Sequence, residues 1–199
     1  MSVSEIGEDP RFPLSVREPA QARDRSDPRR ALAALPVVST LRSPRGLRFA
    51  AVAAAAVVIT STAGRLVSAP GVAGWYKTIA KPSFNPPNWA FPVAWTTLFV
   101  LMGIAFWRVL RSHMQTAGRC VAIILFVTQL VINVSWSLAF FGAHSPILGL
   151  AVIVPFFLAI LATIRAFYKV DVAAALLLVP YAAWVSFATV LNAEIVRLN

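Results

Sequence analysis

This 199-residue chain predicts an all-α integral membrane protein, a bundle of five transmembrane helices, and three observations carry that reading. The composition is 58% hydrophobic and only 13% charged, whereas roughly a quarter of the residues of a soluble domain are charged. The apolar residues gather into five long runs, each close to the ~20 residues that cross a ~30 Å hydrocarbon core at ~1.5 Å per residue. The runs lack the strict alternation of barrel strands, and in lipid only helices or closed barrels pair all their backbone groups.

The segment before the first run, residues 1–46, holds six prolines, many arginines and few aromatics. It buries too little apolar surface to offset its ordering entropy, so it reads as a disordered polar tail. It has no long apolar core of a secretory signal. Its acid-free part from Pro28 to Arg48 has the arginine content of an organelle targeting sequence, and the acids before it count against that reading.

The spans then follow at 47–68, 89–110, 118–141, 147–168 and 172–195. Between the fourth and fifth lies only "YKVD" or so, a turn short enough to force antiparallel neighbours. Pro155 lies in the middle of the fourth span and predicts a kink; Pro180, near the first turns of the fifth, predicts a bend there. The connection between the first two spans is different in kind. The stretch "WYKTIAKPSFNPPNWAFPVAW" holds three of the six tryptophans and four of the fourteen prolines. Its prolines should end the first helix and start the second, with Asn85 or Asn88 as the cap. Trp75 and Trp89 suit the membrane interface. The stretch divides into a stiff lid up to Asn88 and a wall from Trp89 to Trp95.

A net charge of +10 raises nucleic-acid binding, but nine of the eighteen basic residues lie in the first 48, interleaved with six acids. The rest are scattered singly, so no basic face tracks phosphates and no nucleic-acid partner is expected. Near the helix ends, Arg42, Arg45, Arg48, Arg108, Arg111, Arg119, Arg165 and Lys169 fall on the side of the N-terminus, against Arg65, Lys77, Lys81 and Arg197 opposite. The positive-inside rule therefore puts the N-terminus on the cytoplasmic-type side. The membrane expected is a bacterial one or the outer membrane of a mitochondrion or other organelle.

Polar residues inside spans are the informative ones, because an unpaired polar group in hydrocarbon is costly. Gln129, Asn133 and Trp136 fall at i, i+4 and i+7 on one face of the third span. They either hold the bundle by interhelical hydrogen bonds or edge an internal ligand pocket. Trp184, Ala188 and Leu191 repeat the spacing in the fifth, where a small residue beside a flat aromatic makes a notch for a neighbouring helix or a planar ligand. Beyond Phe49 the only acids are Asp171 and Glu194, and no acid–base catalytic set, phosphate loop or coupling carboxylate stands out. Cys120 is the single cysteine and the two histidines lack acidic neighbours, so neither an intrachain disulfide nor a metal site is expected.

From Phe49 to Asn199 the chain resembles the translocator protein family, also called tryptophan-rich sensory proteins. The motifs are "WY", "KPSFNPPNW" and "PVAWTTL" in the first loop and second span, "QLVINVSWSLAFFG" in the third and "PYAAWVSFATVLN" in the fifth. The resemblance implies a five-helix bundle, often a homodimer, with a pocket capped by the first loop. It implies protoporphyrin IX or heme as ligand, with sterols and synthetic carboxamides as others, and no required cofactor. The ligand-facing tryptophans fall on Trp95 and Trp184, the fifth-helix alanine on Ala188, the third-helix pair on Asn133 and Trp136, and the loop positions on Tyr76 and Pro86. Phe91 and Leu191 complete the expected lining, with propionates near Lys77, Lys81 or Arg65. Three roles follow as expectations: a porphyrin-binding sensor or regulator; light- and oxygen-dependent porphyrin breakdown using Trp95 and Trp184; or porphyrin or sterol transport. Sterol recognition is the weakest of these, because Ala193 and Glu194 stand where the animal members' terminal motif has tyrosine, and Val196 where tryptophan is usual.

Overall fold

The computed structural model describes residues 44–113 and 116–199. Most of the 1–46 tail therefore lies outside the described residues. The described elements are helices and one π turn, and five helical segments are long and apolar enough to cross a membrane. The protein is an integral, multi-pass membrane protein.

α1 (Pro44–Ala73) runs for 30 residues, several past the expected end at 68. Pro70 does not stop it, because the Gly74 N–H still reaches the Pro70 carbonyl at 3.1 Å. Next to it Gly71 is buried against the neighbouring span. A Cβ there would lie 2.5 Å from the Phe141 carbonyl oxygen, so glycine allows the close crossing. After Gly74 a four-residue helix, α2 (Trp75–Thr78), opens the lid.

The second span, α3 (Ala90–Arg111), corrects the capping expectation. Trp89 occupies the N-cap without a side-chain hydrogen bond, and neither Asn85 nor Asn88 caps the helix. Asn85 instead accepts from the Tyr76 hydroxyl at 3.0 Å and donates to the Pro86 carbonyl at 3.0 Å, so it braces the lid. At its far end α3 is closed by Arg119, which donates from Nε to the Val109 carbonyl (3.3 Å) and from Nη2 to Leu110 (2.8 Å). A cation at a helix C-terminus also complements the dipole.

The third span is α4 (Arg119–Ser137) followed directly by a π turn, Leu138–Gly142, closed by Ala143 N–H to Leu138 O at 2.7 Å. α5 (Pro146–Val170) starts at a Ser145 cap and continues unbroken through Pro155. The fifth span is interrupted where Pro180 predicts a bend. α6 (Val172–Leu177) stops at Leu178, and α7 (Val179–Leu198) restarts with Pro180 in its first turn. Proline has no N–H to continue the preceding ladder, which makes the join.

α1 packs on α3, α4 and the π turn; α4 packs on α5; α5 packs on α7; and α6 sits on α3. One end of the core is an aromatic stack that joins three spans. Phe106 and Phe126 lie 4.2 Å apart and Phe126 and Phe167 5.6 Å apart, both nearly parallel. At the other end Asn199 meets the lid, accepting from Ala80 N–H at 3.0 Å and donating to the Ala80 carbonyl at 3.1 Å.

Candidate functional site

Several of the sequence-predicted residues, Tyr76, Phe91, Trp136, Trp184 and Leu191, lie at the lid end of the bundle in two connected aromatic groups. The upper group forms because the π turn inserts one extra residue and so turns both Phe140 and Phe141 toward the lid. Tyr76 from α2 packs against Phe141 (5.6 Å, edge-on) and Phe140 (6.1 Å). Trp136 stacks on Phe140 at 5.5 Å, and Trp75 meets the same ring edge-on at 5.5 Å. Leu191 and Ile195 of α7 are buried in this group, with Phe91 and Phe187 packed on its border. The Lys81 ammonium lies 4.9 Å from the centre of the Tyr76 ring and donates to the Ile79 carbonyl. Burial pushes the Tyr76 phenol above its ordinary pKa.

From the lid, rings continue inward. Phe84 touches Phe187 (6.3 Å), Phe187 touches Trp184 (5.7 Å), and Trp184 meets Phe91 edge-on at 6.0 Å. The Trp184 Nε1 is buried and has no hydrogen-bond partner among the described residues. Ala188, one turn on from Trp184, is half-buried at the edge of the main core. Deeper, Trp95 lies 6.4 Å from Tyr181 and 5.8 Å from Phe99.

Tyr181 is the residue that sequence reasoning missed. It is 1% exposed, donates to Gln129 Oε1 at 2.8 Å and accepts from Asn133 Nδ2 at 3.2 Å. The stripe of Trp184, Ala188 and Leu191 extends one turn back to it, at i−3 from Trp184. Asn192 was missed as well. Its Oδ1 accepts from Trp136 Nε1 at 3.4 Å, and its Nδ2 donates to the Pro146 carbonyl at 2.8 Å. Through these contacts the Gln129–Asn133–Trp136 face makes hydrogen bonds to α7.

Not every expected residue joins the group. Pro86 is half-buried in the lid, where its carbonyl is occupied by Asn85. Trp89 is 68% exposed on the outside of α3, as suits an interface residue. Arg65 and Lys77 are exposed, and Arg65 is on α1. No group of three or more metal-ligating side chains occurs among the described residues.

Lid, aromatic wall and α4–α7 polar contacts coincide with the motif-bearing segments. The TspO/MBR family model matches residues 50–198. The chain belongs to the TspO/MBR family. Among relatives of this TspO/MBR protein, the tryptophan-rich protein TspO of Chlorobaculum tepidum is 47% identical over 131 residues, covering 65% of this chain and 83% of that one. The protein CrtK of Rhodobacter capsulatus is 40% identical over 125 residues, 63% of this chain and 78% of its own. The human translocator protein is 37% identical over 128 residues, 63% of this chain and 75% of its own.

Proposed function

We propose that the protein is a membrane sensor or regulator that binds a tetrapyrrole, protoporphyrin IX or heme, beneath the lid. The observation that carries this reading is the ring series Phe84–Phe187–Trp184–Phe91, contributed by lid, α7 and α3, with a buried indole N–H in its middle that has no partner among the described residues. A flat macrocycle presents a large π-face to such rings, and an indole N–H can point at that face. Its propionates would meet Lys77, Lys81 or Arg65 at the wet rim. The relatives' names, sensory and translocator, are in keeping with a protein that recognises a small apolar molecule in the bilayer. By the positive-inside rule the lid faces away from the cytoplasmic-type side.

Titration with protoporphyrin IX, followed by tryptophan fluorescence, tests the reading. Quenching should saturate, and the Trp95→Phe, Trp184→Phe double variant should bind about tenfold more weakly, roughly the loss of one or two aromatic contacts. Unchanged affinity in that variant overturns it.

A second reading is light- and oxygen-dependent porphyrin breakdown. It is favoured by the Trp95–Tyr181 contact, which sets an oxidisable indole beside a hydrogen-bonded phenol. Illuminated native protein should then bleach bound porphyrin faster than denatured protein, and the gain should vanish in Trp95→Phe.

A further inference from the structure

The end of the bundle opposite the lid carries a second concave feature. A notch of about 150 Å³ lies between the C-terminus of α3 and the turn joining α5 to α6, lined by Arg108, Arg111, Ser112 and Asp171. Within it the Arg108 guanidinium is already committed. It donates from Nε (3.2 Å) and Nη2 (3.0 Å) to Asp171 Oδ1, and Nη2 lies 2.9 Å from Oδ2. Asp171 is further engaged by the Ala174 N–H at 2.9 Å. One positive and one negative charge cancel there.

Arg111 remains. Its guanidinium lies 4.6 Å from the centre of the Trp107 ring, a contact that orients the group while leaving its N–H edge unused. No carboxylate or carbonyl among the described residues accepts from it. Ser112 adds a hydroxyl that donates to the Val109 carbonyl at 2.7 Å and would exchange that bond for one to a phosphate oxygen. The neighbouring Arg119 adds charge at the same helix end, through bonds to Val109 and Leu110. The notch is thus net cationic, holds an oriented guanidinium unpaired among the described residues with a hydroxyl beside it, and sits where a membrane-spanning helix ends.

We infer that this notch binds a phosphate group, held by Arg111 and Ser112, and that the headgroup of an acidic phospholipid is its source. Guanidinium matches phosphate through paired N–H donors, and basic pockets between helices at a membrane face suit lipid headgroups. The Asp171 carboxylate facing the same space sets a limit: it weakens the hold on any anion, so Arg108 acts as its screen. The site is independent of the ligand reading above, which concerns the other end of the bundle.

The test uses the full chain in neutral detergent and native mass spectrometry, with phosphatidylglycerol and phosphatidylcholine titrated separately and glycerol phosphate as the soluble competitor. Phosphatidylglycerol should bind in preference, and Arg111→Gln should weaken it about fivefold to tenfold with phosphatidylcholine unaffected. Arg197→Gln, on the lid end, should leave both unchanged. Asp171→Asn should tighten phosphatidylglycerol binding severalfold, the opposite of what a purely structural role for that residue gives. Displacement by millimolar glycerol phosphate, at equal affinity, would support the phosphate site and assign it to a soluble ligand instead of a lipid. Equal phosphatidylglycerol affinity in wild type and Arg111→Gln, with no response to glycerol phosphate, overturns the proposal.

Discussion

The Tyr181 hydroxyl donates to Gln129 Oε1 at 2.8 Å, joining α7 to α4 in the fully buried interior. Tyr181→Phe removes this bond and also the oxygen that accepts from Asn133. Interhelical hydrogen bonds in membranes average about 0.6 kcal/mol, and stranding their partners adds to the loss. The variant should therefore lose about 1–2 kcal/mol. Gln129→Leu in the Tyr181→Phe background should cost less than it does in wild type. Unfolding titrations in mixed micelles measure both.

Asp171 links stability to pH. Burial raises its carboxyl pKa, but the Ala174 N–H and the Arg108 guanidinium outweigh this and hold it below the usual carboxylate value. A carboxyl depressed in the folded state contributes stability that is present above its unfolded pKa of about 3.9. That stability is lost as pH falls through the folded value. Wild type minus Asp171→Asn should thus be constant from pH 7 to about 5 and shrink below about pH 4. A difference that grows on acidification would contradict the sign.

The paired bonds between Asn199 and Ala80 fasten the lid to the end of α7. Asn199→Ala should release the lid by about 1 kcal/mol, since both bonds are exposed. Hydrogen exchange at the Ala80 amide should rise about fivefold. Exchange at core amides of α5 should not change.

Gly149 is packed where α5 meets the π turn and α7. A Cβ there would lie 2.7 Å from Phe140 Cδ2 and 2.8 Å from Asn192 Oδ1. Gly149→Ala should cost about 1–3 kcal/mol, the usual range for overpacking. It should also shift tryptophan emission, because Trp136 depends on that same Asn192 oxygen.

The spans were legible because lipid leaves few choices: long apolar runs must be helices, and all five appear near their expected places. Pro180 was legible for the same reason, as a missing N–H must interrupt a ladder. The extension of the first helix past 68 was not legible; it runs through Pro70, whose carbonyl still accepts from the Gly74 N–H. Asn85 was misassigned as a possible cap because its chemistry suits both a helix start and a turn, and only the position of Tyr76 decides between them. The Gln129–Asn133 face could be found by periodicity, but its partner could not. A tyrosine in a proline-led first turn carries no signal of burial until the two helices are seen side by side. The Arg108–Asp171 pair, 63 residues apart, was invisible for the same reason.

The three buried side-chain polar atoms without partners among the described residues are Trp107 Nε1, Gln129 Nε2 and Trp184 Nε1, and each is an N–H. For Gln129 the arrangement follows from Tyr181, which gives its single proton to Oε1 and receives one from Asn133 Nδ2, leaving Gln129 Nε2 without a partner among the described residues. Each of these three atoms has a proton to offer and no lone pair facing it, so a group placed beside any one of them must be an acceptor.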